Sequence, residues 1–564
     1  MNPWLNAMFQ FAFFYPMVMA FFWMSGGLYY FFRRERKSRP RNDPPPMAEY
    51  PFASLLIPCH NESANLDDTL GAALAQRYPD FEVIAINDGS TDDTGTRLDA
   101  LAALHPRLRV VHLDRNLGKA NALRMGALAA RSEYLVCIDG DAMLEEFAMH
   151  WMVWHLTSGP RVGAVTGNPR IRNRSTLLGR LQVAEFSSII GMIKRAQRVY
   201  GRIFTVSGVI AAFRRTALHR IGYWADDMVT EDIDISWRLQ LDHWDIRYEP
   251  NALCFILMPE TLKGLWRQRL RWAQGGVEVL LRHGASLFSW RKRRMWGVLL
   301  EYILSVLWAY TMLVIILLWA VGKFIPMPPS LYIDTLLPQW HGVILALVCL
   351  LQFASSLIID RRYETHIGRN YFWVIWYPMA YWLISLFTTL VALPKTLLRR
   401  RGKRATWTAA RTPSNRFDSR LIQKPRKQPR LQRTAWGFVT LAFWGFYFYL
   451  WAPLVTLVSW LLGGQLAWLQ LYERKQHLDP FVIIALPVIL ACCALLLIAW
   501  AEYNRYRFAG KERRGPHEDA SRAEIAHSLG ASDQLAEQMF NAKAITLHMD
   551  EHARPLGMTA QLLQ

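Results

Sequence analysis

The first 32 residues are almost continuously apolar, and the same texture returns in five later runs: Gly297–Phe324, His341–Ile359, Phe372–Leu393, Ala435–Leu462 and Phe481–Trp500. A segment crossing a hydrocarbon core of ~30 Å needs roughly 20 such residues, so each run is a candidate membrane span. Between the first two lies a polar stretch, Arg33–Arg294, where short apolar runs alternate with helical spacing. "ASLLIPCHNE", "FEVIAINDGSTDD", "LRVVHLDRN" and "EYLVCIDGDAML" each read as a buried strand that ends in polar residues. Helical segments such as "SANLDDTLGAALAQ" and "GKANALRMGALAAR" lie between them. Strands alternating with helices predict a doubly wound, mostly parallel α/β sheet, and ligands of such sheets gather at the carboxyl ends of the strands.

Composition places this polar domain on a membrane. Hydrophobic residues make up 52% of the 564-residue chain and tryptophans number 24, more than a soluble enzyme usually carries. The first run lacks a basic leader and a small-residue cleavage site, so it reads as a retained anchor. The formal net charge is +20, but the basic clusters Arg33–Arg41, Arg291–Arg294, Arg399–Arg404 and Lys424–Arg433 all border apolar runs. That distribution fits contact with anionic membrane lipid and argues against nucleic acid. The positive-inside rule then puts the polar domain in the cytoplasm. Three full spans between Gly297 and Leu393 would place "RRRGKR" outside, so one is expected to be re-entrant or interfacial. Phe372–Leu393, interrupted by Pro378, is the candidate. The six cysteines show no metal-ligand spacing and read as reduced structural thiols.

Four constellations carry chemistry. In "DGD", Asp139 and Asp141 flank a residue without a side chain, and two hard carboxylates so placed suit Mg²⁺ or Mn²⁺ bound to phosphate. Such pairs also occur in ordinary turns, but four strands ending in polar residues in one sheet favour a nucleotide site. Lys119 opens a helix after Gly118, so an ammonium and free backbone N–H groups can face a diphosphate. In "VTEDIDISW", Glu231, Asp232 and Asp234 begin a helical pattern; they stabilise its dipole, and one can also act as a general base. In "LWRQRLRWAQGG", Gln268, Arg271 and Trp272 share one helix face, offering an amide, a guanidinium and an aromatic ring. The same helix is basic and amphipathic, which suits the membrane interface.

The ordered set "NDGSTDD", "DGD", "TED" and "QRLRW", flanked by membrane spans, resembles the processive family 2 glycosyltransferases. Longer runs, including "FTVSGVIAAFRR" and "ILMPETLKGLWRQRLRWAQGG", resemble the poly-β-1,6-N-acetylglucosamine synthases (PgaC type) within that family. The resemblance implies a GT-A fold. It also implies Asp232 as general base beside Glu231, and Asp139 and Asp141 as the metal pair. His60, Asn61, Glu62, Asp88, Lys119, Gln268, Arg271 and Trp272 become donor-site residues, while Ser207, Gly208 and Trp272 face the acceptor. The C-terminal part, with two apolar spans, "YNRYRF" and a polar tail, resembles PgaD, the small membrane partner of such synthases, here fused to the same chain.

The implied activity is polymerisation of N-acetylglucosamine from UDP-N-acetylglucosamine (UDP-GlcNAc) and export of the polymer across a bacterial inner membrane. Cyclic di-GMP is the implied activator, with arginines near Arg399–Arg404 and Arg505–Arg507 as candidates for its site. A periplasmic deacetylase and an outer-membrane export protein are implied partners. A hyaluronan, chitin or cellulose synthase would share every catalytic motif and is the alternative. The expected divisions are an anchor (1–32), the GT-A domain (45–259), an amphipathic segment (260–295), channel helices (296–398), a basic linker (399–433), a two-span PgaD-like region (434–502) and its tail (503–564).

Overall fold

Four parallel strands form the centre of the sheet: β1 (Ala53–Cys59), β2 (Phe81–Asp88), β3 (Leu108–Leu113) and β4 (Tyr134–Ile138), in the order β3-β2-β1-β4. Nearly every residue in them is buried, because helices cover both faces. The computed structural model describes residues 2–333, 339–399, 421–422, 430–452, 480–508 and 515–561. The predicted strands are all present, and the fold is the expected GT-A arrangement. Beyond β4 the sheet becomes mixed, continuing through β7 (Ile210–Arg214), β6 (Val162–Ile171), β8 (Asp245–Ile256) and the short β5 (Met143–Leu144).

The other edge of the sheet is closed by the tail. β9 (Ala544–Met549) pairs in parallel with β3, and β10 (Pro555–Ala560) pairs antiparallel with β9. Ile525, Leu535, Met539, Ile545 and Leu547 join one apolar core with Val111, Leu113, Leu123 and Leu128. Buried Arg109 fastens the seam, bonding the Glu82 carboxylate at 2.6 Å and the Ala542 carbonyl at 2.9 Å. The tail, read from the sequence as a separate unit, is therefore structurally part of the catalytic sheet. Pairing β3 removes an edge that would otherwise expose unpaired backbone groups.

Among the described residues, five helices are long and apolar enough to cross a membrane: Pro3–Glu35, Trp290–Gly322, His341–Asp360, Tyr377–Leu397 and Ala485–Arg507. Asn2 N–H bonds the Ser330 carbonyl, so the start of the first meets the end of the second. Phe13 contacts His341 and Met24 contacts Ser355, so the first and third run in the same direction. The inner end of the third is tied to the catalytic domain, where buried Asp360 pairs with Arg170 at 2.7 Å and Arg195 at 3.0 Å.

Tyr377–Leu397 is different. Its Tyr381 hydroxyl bonds Glu185 at 2.8 Å beside Leu265, and Arg399, just beyond its end, pairs with Glu278. Leu265 and Glu278 lie on one helix, Leu262–His283, about 20 Å apart by its rise per residue. The apolar helix thus runs along a catalytic-domain helix, and it meets Trp296–Gly322 around Trp308–Ile316. Pro378 sits in its first turn, where a missing N–H is harmless, so the proline starts this helix and does not interrupt it. The predicted run Ala435–Leu462 is described as a helix to Leu450, and its part from 453 on lies outside the described residues, as do 400–420 and 423–429 of the basic linker and 509–514 of the tail.

Candidate active site

A cavity of about 1310 Å³ opens where β1 and β4 end, and it continues to Trp23, Glu301 and Tyr302 on the membrane helices. The end at the strand termini is lined by His60, Glu62, Lys119, Asp139, Gly140 and Asp141. The "DGD" turn packs so closely that a Cβ at Gly140 would meet the Pro58 carbonyl at 2.9 Å and Glu62 Cγ at 3.1 Å. Only glycine lets the turn fold back there and carry both carboxylates to the cavity wall. Buried acidic oxygens beside an open phosphate-sized space fit a divalent cation, which takes its other ligands from phosphate and water.

Lys119 links the "DGD" turn to the "TED" helix. Its Nζ lies 2.7 Å from Asp139 Oδ1 and 2.9 Å from Glu231 Oε1, and it donates to the Gly208 carbonyl at 3.0 Å. Burial alone would lower its pKa, but Asp139 and Glu231 together raise it, so it stays an ammonium. Glu231 is held below the usual carboxylate range: burial opposes this, and Lys119 outweighs it.

Asp232 behaves in the opposite way. Burial, reinforced by the Glu231 charge, pushes its carboxyl up to about 6. Its Oδ2 accepts the Gly208 N–H at 3.3 Å, and its Oδ1 accepts the Ile233 N–H at 3.0 Å. Two adjacent carboxylates thus have separated proton affinities, the arrangement by which one side chain is set aside as a base near neutral pH.

The "QRLRW" helix reaches this site through two glycines. A Cβ on Gly275 would sit 1.7 Å from Thr230 Oγ1, and one on Gly276 would sit 2.6 Å from the Tyr302 hydroxyl. Gln268, Arg271 and Trp272 line the cavity together, as their spacing predicts. Arg271 has no ion-pair partner among the described residues. Arg269, which points the other way, pairs with Glu185 at 2.5 Å and lies over the Trp272 ring at 4.2 Å.

Two expected donor residues do not line the cavity: Asp88 stands behind its wall, and Asn61 lies partly exposed on a loop. Asp88 is fully buried and spends its carboxylate on the N–H groups of Leu117 and Gly118, both at 2.8 Å. Asn61 accepts the Thr91 N–H at 2.8 Å. Both shape loops, while His60 reaches the cavity with Nδ1 against the Asp88 carbonyl and Nε2 3.0 Å from Asn116. Ser207 and Gly208 also line the cavity. Sequence reading missed Thr166, Lys194, Gln197 and Glu301, since nothing in their spacing marks residues from separate elements that meet only in the fold. Of the cyclic di-GMP candidates, Arg399 pairs with Glu278 and Arg505 with Glu502, on separate elements.

Residues 51–275 match the model of a glycosyltransferase-like family 2, and residues 421–555 match that of PgaD-like proteins. The poly-beta-1,6-N-acetyl-D-glucosamine synthase of Staphylococcus epidermidis is 40% identical over 405 residues, 71% of this chain and 97% of the relative. That of Staphylococcus aureus strain COL is 40% identical over 402 residues, again 71% and 97%. This chain belongs to the poly-β-1,6-N-acetyl-D-glucosamine synthase family. It joins a family 2 glycosyltransferase to a PgaD-like segment, and it is a glycosyltransferase. Among solved structures it is similar to a mannosyltransferase from Pyrobaculum calidifontis in complex with GDP-Man and Mn²⁺, at 19% identity and a TM-score of 0.42, covering 68% of this chain and 98% of that one. For a synthase of this family, the separation of the Glu231 and Asp232 proton affinities and the extension of the cavity into the membrane helices are the features that bear on mechanism.

Proposed function

We propose that the chain is a processive, inverting synthase that adds N-acetylglucosamine from UDP-GlcNAc to the 6-hydroxyl of a growing chain. The observation that carries this is one cavity joining the acidic donor pocket, Asp232 and the membrane helices. Asp232, its carboxyl raised to about 6, takes the proton from the acceptor hydroxyl as that oxygen attacks C1 and the bond to UDP breaks. Lys119 and Arg271 face the departing diphosphate as fixed positive charges. Gln268 offers its amide and Trp272 its ring to the acceptor end. Asp139 and Asp141 would hold the Mg²⁺ or Mn²⁺ ion, which supplies charge neutralisation at the diphosphate.

The same reading places the catalytic domain in the cytoplasm. Arg33–Arg41 and Arg291–Arg294 both lie at the catalytic-domain ends of their spans, as positive-inside ordering requires. With Tyr377–Leu397 lying in the interface, three crossings precede "RRRGKR", which then also falls on the cytoplasmic side. The polymer leaves between the first and second spans, where Trp23, Glu301 and Tyr302 extend the cavity. Activation by cyclic di-GMP, and the deacetylase and export partners, are supported by the family resemblance and the fused PgaD-like segment.

Purified protein supplied with UDP-GlcNAc and Mg²⁺ tests the reading. Asp232→Asn is expected to abolish incorporation and to bind UDP within about twofold of the parent, because the base lies off the donor pocket. Polymer from that variant, or product resistant to a β-1,6-specific hexosaminidase, would refute it; resistance alone points to the hyaluronan, chitin or cellulose type of linkage.

A further inference from the structure

One ammonium on the cavity wall plays no part in the mechanism above. Lys194, on the helix Ile193–Tyr200, is only 5% exposed yet lines the cavity between Asp232 and the membrane helices. Its Nζ donates to Thr166 Oγ1 at 3.0 Å, and that oxygen also accepts the Ser207 N–H at 2.8 Å. Ser207 precedes Gly208, whose N–H reaches Asp232. The lysine therefore braces, through one hydroxyl, the loop that holds the base.

An ammonium has three donors, and among the described residues only Thr166 takes one. The carboxylates packed around its helix are committed elsewhere. Glu35 and Asp360 pair with Arg195, Asp245 with Arg198, Glu249 with His155 and Glu502 with Arg33. Glu301 accepts from Tyr200 at 2.6 Å and from Gln197 at 3.3 Å. Asp232 is the carboxylate whose charge reaches Lys194, flanked by Glu231, Lys119 and Arg271 on the far side. Burial draws the lysine down to about 7, with Asp232 opposing. A buried ammonium with a single hydroxyl partner destabilises the fold, so packing alone does not account for it.

We propose that Lys194 is an acceptor-site residue: its two remaining N–H groups bind an oxygen of the terminal sugar and hold the attacking hydroxyl against Asp232. The inference rests on Asp232 as the base. It assigns to the acceptor a hexosamine whose hydroxyl, ring or amide oxygen can accept from a cation, and it sets an upper pH limit, because a neutral amine binds that oxygen less strongly and no longer supports the aspartate's charge.

Full-length protein in detergent, given UDP-GlcNAc and a short β-1,6-linked N-acetylglucosamine oligosaccharide, tests it. Lys194→Met should raise the KM for the oligosaccharide about tenfold or more, the range for losing a charged hydrogen bond, and leave UDP affinity within about twofold. The parent should show a bell-shaped rate profile with limbs near the values for Asp232 and Lys194. Lys194→Met should lose the alkaline limb and shift the acid limb upward, whereas Lys194→Arg should carry the alkaline limb beyond the measured range. Unchanged oligosaccharide KM and unchanged limbs in Lys194→Met overturn the inference. If that variant fails to bind UDP, an unmoved alkaline limb in Lys194→Arg overturns it instead. Asp232→Asn is run alongside: its activity would remove the base assignment, while its inactivity beside an unaffected Lys194→Met removes the lysine's role alone.

Discussion

Lys119 and Glu231 meet at 2.9 Å across the cavity, joining the start of the helix that follows β3 to the "TED" helix. The pair spans the cavity from Asp139 to the "TED" helix, and it keeps Glu231 ionised beside Asp232. On the proposed mechanism, replacing Lys119 by methionine removes a cation facing the diphosphate, and losses of about 10²–10³ in kcat are usual for one such donor. Asp232, already raised to about 6, would lose a neighbouring positive charge and rise further. As the proposed base, Asp232 works deprotonated, so activity should fall as pH drops through its pKa, and the acid limb should move to higher pH in Lys119→Met. Initial rates across pH 5 to 8, a range of about three units around the carboxyl, measure both effects.

Asp139 and Asp141 predict a requirement for a divalent cation. Chelation should stop polymer synthesis, with Mg²⁺ or Mn²⁺ restoring it. Asp139→Asn and Asp141→Asn should each need about tenfold or more metal for half-maximal rate, since a hard cation loses an anionic ligand. Metal titration of UDP release reads this directly.

Gly275 allows the closest approach in the site, and its substitution is a test of packing. Gly275→Ala places a methyl on Thr230 Oγ1, next to Glu231 and Asp232. Overpacking of this kind costs about 1–3 kcal/mol, and displacement of the base should lower kcat by more than the stability loss explains. Thermal unfolding measured beside turnover separates the two, and wild-type turnover from Gly275→Ala contradicts the geometry.

The seam between tail and catalytic sheet predicts a stability effect far from the chemistry. Arg109→Ala leaves Glu82 buried without its main partner, a change of about 3–5 kcal/mol. Because β3 leads into the loop that carries Asn116 to Lys119, UDP affinity should fall as well. Unfolding in detergent and UDP titration check the two outcomes.

Fusions ending after Arg404 test the membrane arrangement. With Tyr377–Leu397 in the interface, green fluorescent protein placed there should fluoresce, and alkaline phosphatase placed there should be inactive. Phosphatase activity would return the helix to a full crossing.

The linear chain determined much of this protein. Buried strands with polar ends, a two-carboxylate turn, helix-start cations and a shared helix face are local patterns, set by the two-residue and 3.6-residue periods of strand and helix. They predicted β1 to β4 and brought Asp139, Asp141, Glu231, Asp232, Gln268, Arg271 and Trp272 to one cavity. Tertiary structure decided what depends on contacts between distant segments. It put Asp88 behind the wall, since a buried carboxylate goes to whichever orphan N–H the neighbouring loop presents. It laid an apolar helix along Leu262–His283, because Tyr381 and Arg399 find Glu185 and Glu278 there. It also made the tail part of the sheet: β9 has an ordinary alternating pattern, and its partner, the open edge of β3, lies more than 400 residues earlier in the chain.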